Sequence, residues 1–255
     1  MLDTSSTRGL PLVSVIMPVY NEESFIRRSL GAVLAQDYPP DRIEVLVVDG
    51  LSTDRTARLV QDIAAQDGRV QIIPNPDRIQ AQALNRALDA ARGTVIVRVD
   101  GHTIIAPDYV RRCVAHLHAT GADNVGGPQR FAATTAMGRA IAAAYRSPFS
   151  VPSRFTISDR AEFVDTVYLG AWPRSVFERV GRFDGRLAVN EDYEFNYRIR
   201  KAGGRIYLAP DIQSQYYGRQ TLAALGRQYL RYGRWKFRVL AQHPASIRPR
   251  HVVAP

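Results

Sequence analysis

Cysteine is nearly absent from this chain, with Cys113 the only one in 255 residues. That excludes an intramolecular disulfide and a cysteine-based zinc cluster, and leaves Cys113 as a small buried hydrophobe. Lysine is almost as scarce: Lys201 and Lys236 stand alone, both far from the N-terminus. A glycine- and lysine-rich nucleotide loop near the start is therefore missing. So is the dinucleotide fingerprint, because the first strand–helix turn reads Pro18-Val19-Tyr20-Asn21-Glu22. No run of 18 apolar residues occurs, so no membrane-spanning helix is expected. Met1–Gly9 is polar and does not read as a signal peptide. Acidic residues vanish after Asp211. Arg219, Arg227, Arg231, Arg234, Lys236, Arg238, Arg248 and Arg250 follow it, and they carry eight of the net +10 charges. Such a tail suits an anionic membrane surface, a phosphorylated ligand or nucleic acid, and a solvated helix explains it equally well.

What is present supports one large domain. Apolar residues make up 45% and aromatics 9%, enough for a sizeable core and against general disorder. Strand patterns at 12–17, 43–48, 70–73 and 95–99 alternate with helical stripes at about 25–34, 54–65 and 79–91. That order predicts an α/β fold with a mostly parallel central sheet flanked by helices and short crossovers. Further on, helices are expected near 107–118 and 134–146, a strand at 163–169, and a helix opened by Asn190-Glu191-Asp192. A last amphipathic helix is expected over 222–241. Residues 147–161, with two prolines and four serines, read as an excursion.

The stretch Val95–His102, V-I-V-R-V-D-G-H, organises the chain. In an open α/β sheet, ligands bind beyond the carboxyl ends of the strands. Asp100 and His102 would stand there with Gly101 turning the backbone between them, an oxygen and a nitrogen donor for one divalent ion. Asp49 and Asp77 end two earlier strands, and three acidic strand ends at one sheet edge repel one another, which stability alone does not explain. Asp54 has an ordinary explanation near a helix start, with Ser52 or Thr53 as the cap. A metal at Asp100 and His102 could neutralise a diphosphate, and His beside Asp suits Mn²⁺ better than Mg²⁺. Asp192, at a helix start opposite, could take a proton from an acceptor hydroxyl. Plain N-terminal helix charge is the competing explanation of Glu191 and Asp192.

The motifs, in their order and spacing, resemble the family 2 inverting glycosyltransferases of GT-A fold, most closely the succinoglycan biosynthesis ExoA-like proteins. They are V-S-V-I-M-P-V-Y-N-E at 13–22, V-V-D-G-L-S-T-D at 47–54, A-L-N-R-A at 83–87 and R-V-D-G-H at 98–102. Y-L-G-A-W at 168–172, G-R-F-D at 181–184 and N-E-D-Y-E-F at 190–195 complete the set, and together they cover nearly the whole chain. The resemblance implies a Rossmann-like nucleotide-sugar half at about 10–102, an acceptor half at about 103–218, and a basic helix and tail at 219–255. It implies that Pro18, Tyr20 and Glu22 line the nucleotide pocket, that Asp49 reads the nucleobase and that Asp77 lies near the base or ribose. Asp100 and His102 occupy the D-x-D position, His102 replacing the usual final Asp. Asp192 matches the catalytic base.

Arg231-Tyr232-Gly233-Arg234-Trp235 stands where processive relatives carry Q-x-x-R-W. With Arg231 in place of the glutamine, transfer of one sugar is expected rather than polymerisation, with Arg234 and Trp235 approaching the diphosphate or acceptor. The expected donor is a nucleoside-diphosphate sugar, UDP in preference to GDP. The expected acceptor is a glycan or polyprenyl-diphosphate-linked sugar in exopolysaccharide synthesis. Relatives continue from a segment like H-P-A-S-I-R-P-R-H into membrane helices. This sequence is expected either to stop short of them or to bind the inner, cytoplasmic face of the membrane through helix 222–241. A sugar-nucleotide-binding scaffold without turnover is the main alternative. Nucleic-acid binding is not expected, since acidic strand ends repel phosphates.

Overall fold

The computed structural model describes residues 9–133, 135–145, 158–218 and 221–246. Most of the excursion expected at 147–161, and all of the tail after Ser246, lie outside the described residues. Its first half alternates strand and helix: β1 (Val13–Val19), α1 (Ile26–Leu34), β2 (Ile43–Asp49), α2 (Thr56–Ala64), β3 (Val70–Pro74), α3 (Gln80–Ala90) and β4 (Val95–Arg98). There follow β5 (Thr103–Ile105), α4 (Tyr109–Thr120), β6 (Asn124–Gly127), β7 (Gln129–Ala132), α5 (Ala136–Tyr145), β8 (Glu162–Val164) and β9 (Tyr168–Pro173). The last elements are α6 (Arg174–Val180), α7 (Glu191–Lys201), β10 (Ile206–Leu208), β11 (Ser214–Tyr217) and α8 (Leu222–Gln242).

An eight-stranded sheet runs in the order β3-β2-β1-β4-β9-β6-β10-β8. The first four strands are mutually parallel, and β9 enters antiparallel to both β4 and β6. Strand β1 is buried along its whole length, as expected of a central strand covered on both faces. Val13, Val15, Met17 and Val19 pack with Ile26 and Leu30 of α1, Val60 of α2 and Val110 of α4. Ile16 faces the other way, toward Leu84 and Leu88 of α3 and Phe195 and Ile199 of α7. The alternating side chains thus build two hydrophobic layers.

Where expectation and structure part, the reasons are local. Residues 163–169 form no single strand: β8 ends at Val164 and β9 begins at Tyr168, running on through Gly170-Ala171-Trp172. A second, three-stranded sheet, β5-β11-β7, was not expected at all. Its strands are three or four residues long and carry mixed polarity, as in Ser214-Gln215-Tyr216-Tyr217, so no alternation announces them. Neither Ser52 nor Thr53 caps α2. Ser52 instead donates to Asp49 (2.6 Å) and accepts from the Asn21 N–H (2.9 Å). Asp49 therefore has a local structural role, holding the turn beyond its strand.

Candidate functional site

The chain leaves β1 toward β2 and β3 on one side and returns as β4 on the other, so the strand order reverses between β1 and β4. At such a switch point the loops diverge and leave a crevice. A cleft of about 570 Å³ opens there, lined among others by Pro18, Tyr20, Glu22, Asp100, His102 and Asp192.

Two loops form its first wall. Asn21 adopts a left-handed conformation (φ 54°), and its side-chain oxygen accepts from the Thr53 N–H at 2.8 Å. The Glu22 N–H donates to Thr56 Oγ1 (2.7 Å), and the Glu23 N–H to Asp54 (3.2 Å). The motifs at 13–22 and 47–54 are therefore one clamp, which explains why both carry short polar side chains. Glu22 Oε1 and His102 Nδ1 are hydrogen-bonded at 2.8 Å. Space at Gly101 is tight: a Cβ there would lie 3.0 Å from both Glu22 Cγ and Val19 Cγ1. Ser29 Oγ donates to the Gly101 carbonyl (2.6 Å) and pins the turn.

The floor is ionic. Arg98, 6% exposed, donates from Nε to Asp100 Oδ1 (2.8 Å) and from Nη2 to Oδ2 (3.2 Å). Its Nη1 reaches Glu191 Oε1 at 3.0 Å. Burial disfavours the charged guanidinium, but Asp100 and Glu191 outweigh that and raise its pKa. Glu191 is 3% exposed. Burial and the neighbouring Asp192 push its carboxyl up to about 7, against the pull of Arg98. Asn190 holds a left-handed conformation (φ 65°), at the start of α7, where Asn is tolerated. From that turn Glu191 is buried against Arg98, while Asp192 lines the cleft and accepts from the Tyr193 N–H (2.7 Å).

Other expected residues lie elsewhere. Asp49 is buried beside the cleft with Gly50 at the lining, and its carboxylate receives the Ser52 N–H and hydroxyl. Asp77 pairs with Arg86 at 2.9 Å and does not line the cleft. Nor do Arg234 and Trp235: Arg234 is exposed, and Trp235 packs against Leu187, Tyr193 and Val239 under the Arg238 guanidinium. The face of α8 that reaches the cleft is Gln228, Tyr232 and Lys236, spaced four apart. Sequence reasoning missed these three, although their i, i+4, i+8 spacing was the available signal. It also missed Arg78, whose guanidinium lies 6.0 Å above the Tyr20 ring.

Can these residues hold a divalent ion? Asp100 and Glu191 both pair with the buried Arg98, and Asp192 lines the cleft beside them. Each Asp100 oxygen keeps a lone pair beyond its Arg98 bond. Among the described residues, no group of three or more His, Cys, Asp or Glu side chains is disposed to hold a metal. Asp100 and His102 both line the cleft, Asp100 bonded to Arg98 and His102 Nδ1 to Glu22.

Residues 14–165 match the model of Glycosyl transferase family 2, and residues 95–248 that of Glycosyl transferase family group 2. The chain is 32% identical over 234 residues to the Succinoglycan biosynthesis protein ExoA of Rhizobium meliloti, covering 91% of this chain and 71% of that protein. The chain belongs to glycosyl transferase family 2. Glycosyltransferase AglE of Haloferax volcanii is 31% identical over 243 residues, 95% of this chain and 78% of that one. Among solved structures, the Pyrobaculum calidifontis mannosyltransferase PcManGT, described in complex with GDP-Man and Mn²⁺, superposes with a TM-score of 0.71 at 24% identity. That match covers 93% of this glycosyltransferase but 65% of the PcManGT chain, and it establishes the shared fold. Membership of the family gives the chain a sugar-transfer function, from a nucleoside-diphosphate sugar to an acceptor.

Proposed function

We propose that this glycosyltransferase moves one hexose from a UDP-sugar to a hydroxyl of a glycan or polyprenyl-diphosphate-linked acceptor, with inversion. The observation that carries the reading is that Asp192 borders the same cleft as Asp100 and His102, and that Arg98 bridges Asp100 to the neighbouring Glu191. Tyr20, with Arg78 above its ring, offers a platform for the nucleobase, and Pro18 and Gly50 border it. Asp49 supports that pocket through the turn it holds, and the diphosphate lies toward Asp100, His102 and Lys236. Asp100 and His102 would hold a divalent ion, Mn²⁺ in preference to Mg²⁺, which when bound supplies positive charge to the leaving diphosphate.

The acceptor hydroxyl oxygen attacks the anomeric carbon while Asp192 takes its proton. The bond from that carbon to the phosphate oxygen breaks, and the nucleoside diphosphate leaves with the electron pair. One displacement inverts the configuration, and no covalent sugar–enzyme intermediate forms. The likeness to a succinoglycan biosynthesis protein supports an acceptor in polysaccharide synthesis. No described helix is long and apolar enough to cross a membrane.

Asp192→Asn tests the reading. Transfer should fall by about 10²–10⁴-fold, the usual worth of a general base. Calorimetric binding of UDP, titrated beside GDP with and without Mn²⁺, should stay unchanged. Unimpaired transfer would remove Asp192 from the chemistry. Failure of the unmutated protein to bind either nucleotide would overturn the assignment of the cleft.

A further inference from the structure

The segment His243-Pro244-Ala245-Ser246, just past α8, does not line the cleft, yet it is bonded to the turn that presents Asp192. The Tyr193 hydroxyl donates to the Ser246 carbonyl at 2.5 Å, a buried bond between residues 53 positions apart. His243 Nε2 is hydrogen-bonded to Glu194 Oε1 at 3.1 Å. Glu194 is 2% exposed and also accepts from Arg198 Nε (2.7 Å) and Nη2 (2.9 Å). The His243 ring lies 5.0 Å from that of Tyr197, one turn further along α7. Within α8, Lys236 Nζ stands 3.1 Å from the centre of the Tyr193 ring, and the Tyr232 carbonyl accepts from Asn190 Nδ2 at 3.3 Å. Leu187, Tyr193 and Val239 form a small apolar cluster of their own, with Trp235 packed on it.

We infer that Tyr193 and His243 are positioning residues, which fix the first turn of α7 so that Asp192 is held at the cleft. This rests on the reading of Asp192 as the general base. Asp192 sits between two anchors. On one side Glu191 is paired with Arg98 of the central sheet at 3.0 Å. On the other, Tyr193 and Glu194 are tied to the end of α8. The chain that enters the turn, Ala188-Val189-Asn190, borders the open cleft, and the Asn190 side chain makes no cap bond to α7. A helix start without a cap leaves its first N–H groups unsatisfied and frays readily. The bonds from beyond α8 supply the missing restraint. Apolar packing alone would bury Leu187 and Val239 equally well. The polar bonds add direction, and both land within two positions of the base. Their consequence is kinetic, because a reacting group displaced by about 1 Å can lose about 10²-fold in rate.

Deuterium exchange, read by mass spectrometry on the full chain, tests the restraint directly. In Tyr193→Phe and in His243→Ala, exchange over residues 193–197 should quicken by about threefold or more, the worth of one hydrogen bond, while β1 and β4 keep the parent's rates. His243→Gln, which keeps an N–H for Glu194, should restore the parent's exchange. UDP release from UDP-glucose and from UDP-galactose, with water in the acceptor's place, gives the kinetic readout. In His243→Ala, kcat should fall by about tenfold or more with KM unchanged, and it should recover in His243→Gln. Added to Asp192→Asn, His243→Ala should cost nothing further, as expected of a residue that acts through the base. Parent-like exchange over 193–197 in both Tyr193→Phe and His243→Ala would overturn the inference. So would quickening spread evenly over β1 and β4, or the same kinetic loss with and without Asp192. If neither sugar nucleotide is turned over, exchange alone decides. Full UDP release by Asp192→Asn is a separate result, which would overturn the assignment of the base while exchange still reports whether the turn is held.

Discussion

A guanidinium buried between two carboxylates is costly to place and costlier to remove, because its partners are then left charged and unpaired. Arg98→Met should therefore destabilise the fold by about 3–5 kcal/mol, with Arg98→Lys falling between it and the parent in a denaturant melt. Equal stability of all three would mean that Asp100 and Glu191 do not depend on Arg98. At this scale the sequence was partly legible. Pro18, Tyr20, Glu22, Asp100, His102 and Asp192 were named from it, and all six line one cleft. Arg98 was passed over because it interrupts an otherwise apolar strand, V-I-V-R-V, and nothing in a one-dimensional pattern says which carboxylate 93 positions away will meet it. The motif points to Arg234 and Trp235, yet the turn of α8 sets Gln228, Tyr232 and Lys236 toward the cleft.

Among the elements, strands and helices with strong periodicity were readable, and the motifs between them turn out to be mutual fasteners. Asn85, from A-L-N-R-A, donates to the Phe183 carbonyl (2.9 Å) and accepts the Phe183 N–H (3.1 Å), joining α3 to G-R-F-D. The small sheet was illegible because its pairing links segments more than 80 residues apart through strands too short to show alternation. At the N-terminal end of the main sheet, Glu44 joins β2 to its neighbours, accepting from Ser14 Oγ (2.6 Å) and from Arg92 Nε (2.8 Å). Burial raises the Glu44 pKa, but the bonds from Ser14 and Arg92 together outweigh it and hold the pKa below its ordinary 4.5. The stability that this gives is present above pH 4.5 and is lost as pH falls through the lowered value. Glu44→Gln should therefore lose stability at pH 7, by about 1–3 kcal/mol, and show a shallower decline on acidification. An unchanged acid limb in melts from pH 7 to 3 would count against it. Helix α8 makes a different prediction. Leu230 and Phe237 are 72% and 74% exposed, and Arg227, Arg234 and Arg238 are exposed on the same helix. An apolar stripe flanked by arginines fits an anionic lipid interface. Sedimentation with phosphatidylglycerol vesicles at low salt should be lost in the double substitution Leu230→Asp and Phe237→Asp. No binding by the parent would exclude the surface role.

For the molecule as a whole, Cys113 is a built-in reporter. It is fully buried on α4, and burial pushes its thiol well above the ordinary range. The thiolate is the reactive form, so iodoacetamide at pH 8 should modify the native protein roughly 100-fold more slowly than the denatured one. Saturating nucleotide should slow it further, because a ligand that binds only the folded state stabilises that state. Rapid native alkylation, read by mass spectrometry, would show that the layer around α4 opens readily. The lining of the cleft raises a last point, about assembly. It draws on residues from Pro18 to Lys236, and its ionic floor spans Arg98 to Glu191. Contacts so distant in sequence close late in folding. During synthesis the cleft would come into being only after almost all of these segments have been made, so a partly made chain carries none of its ionic floor.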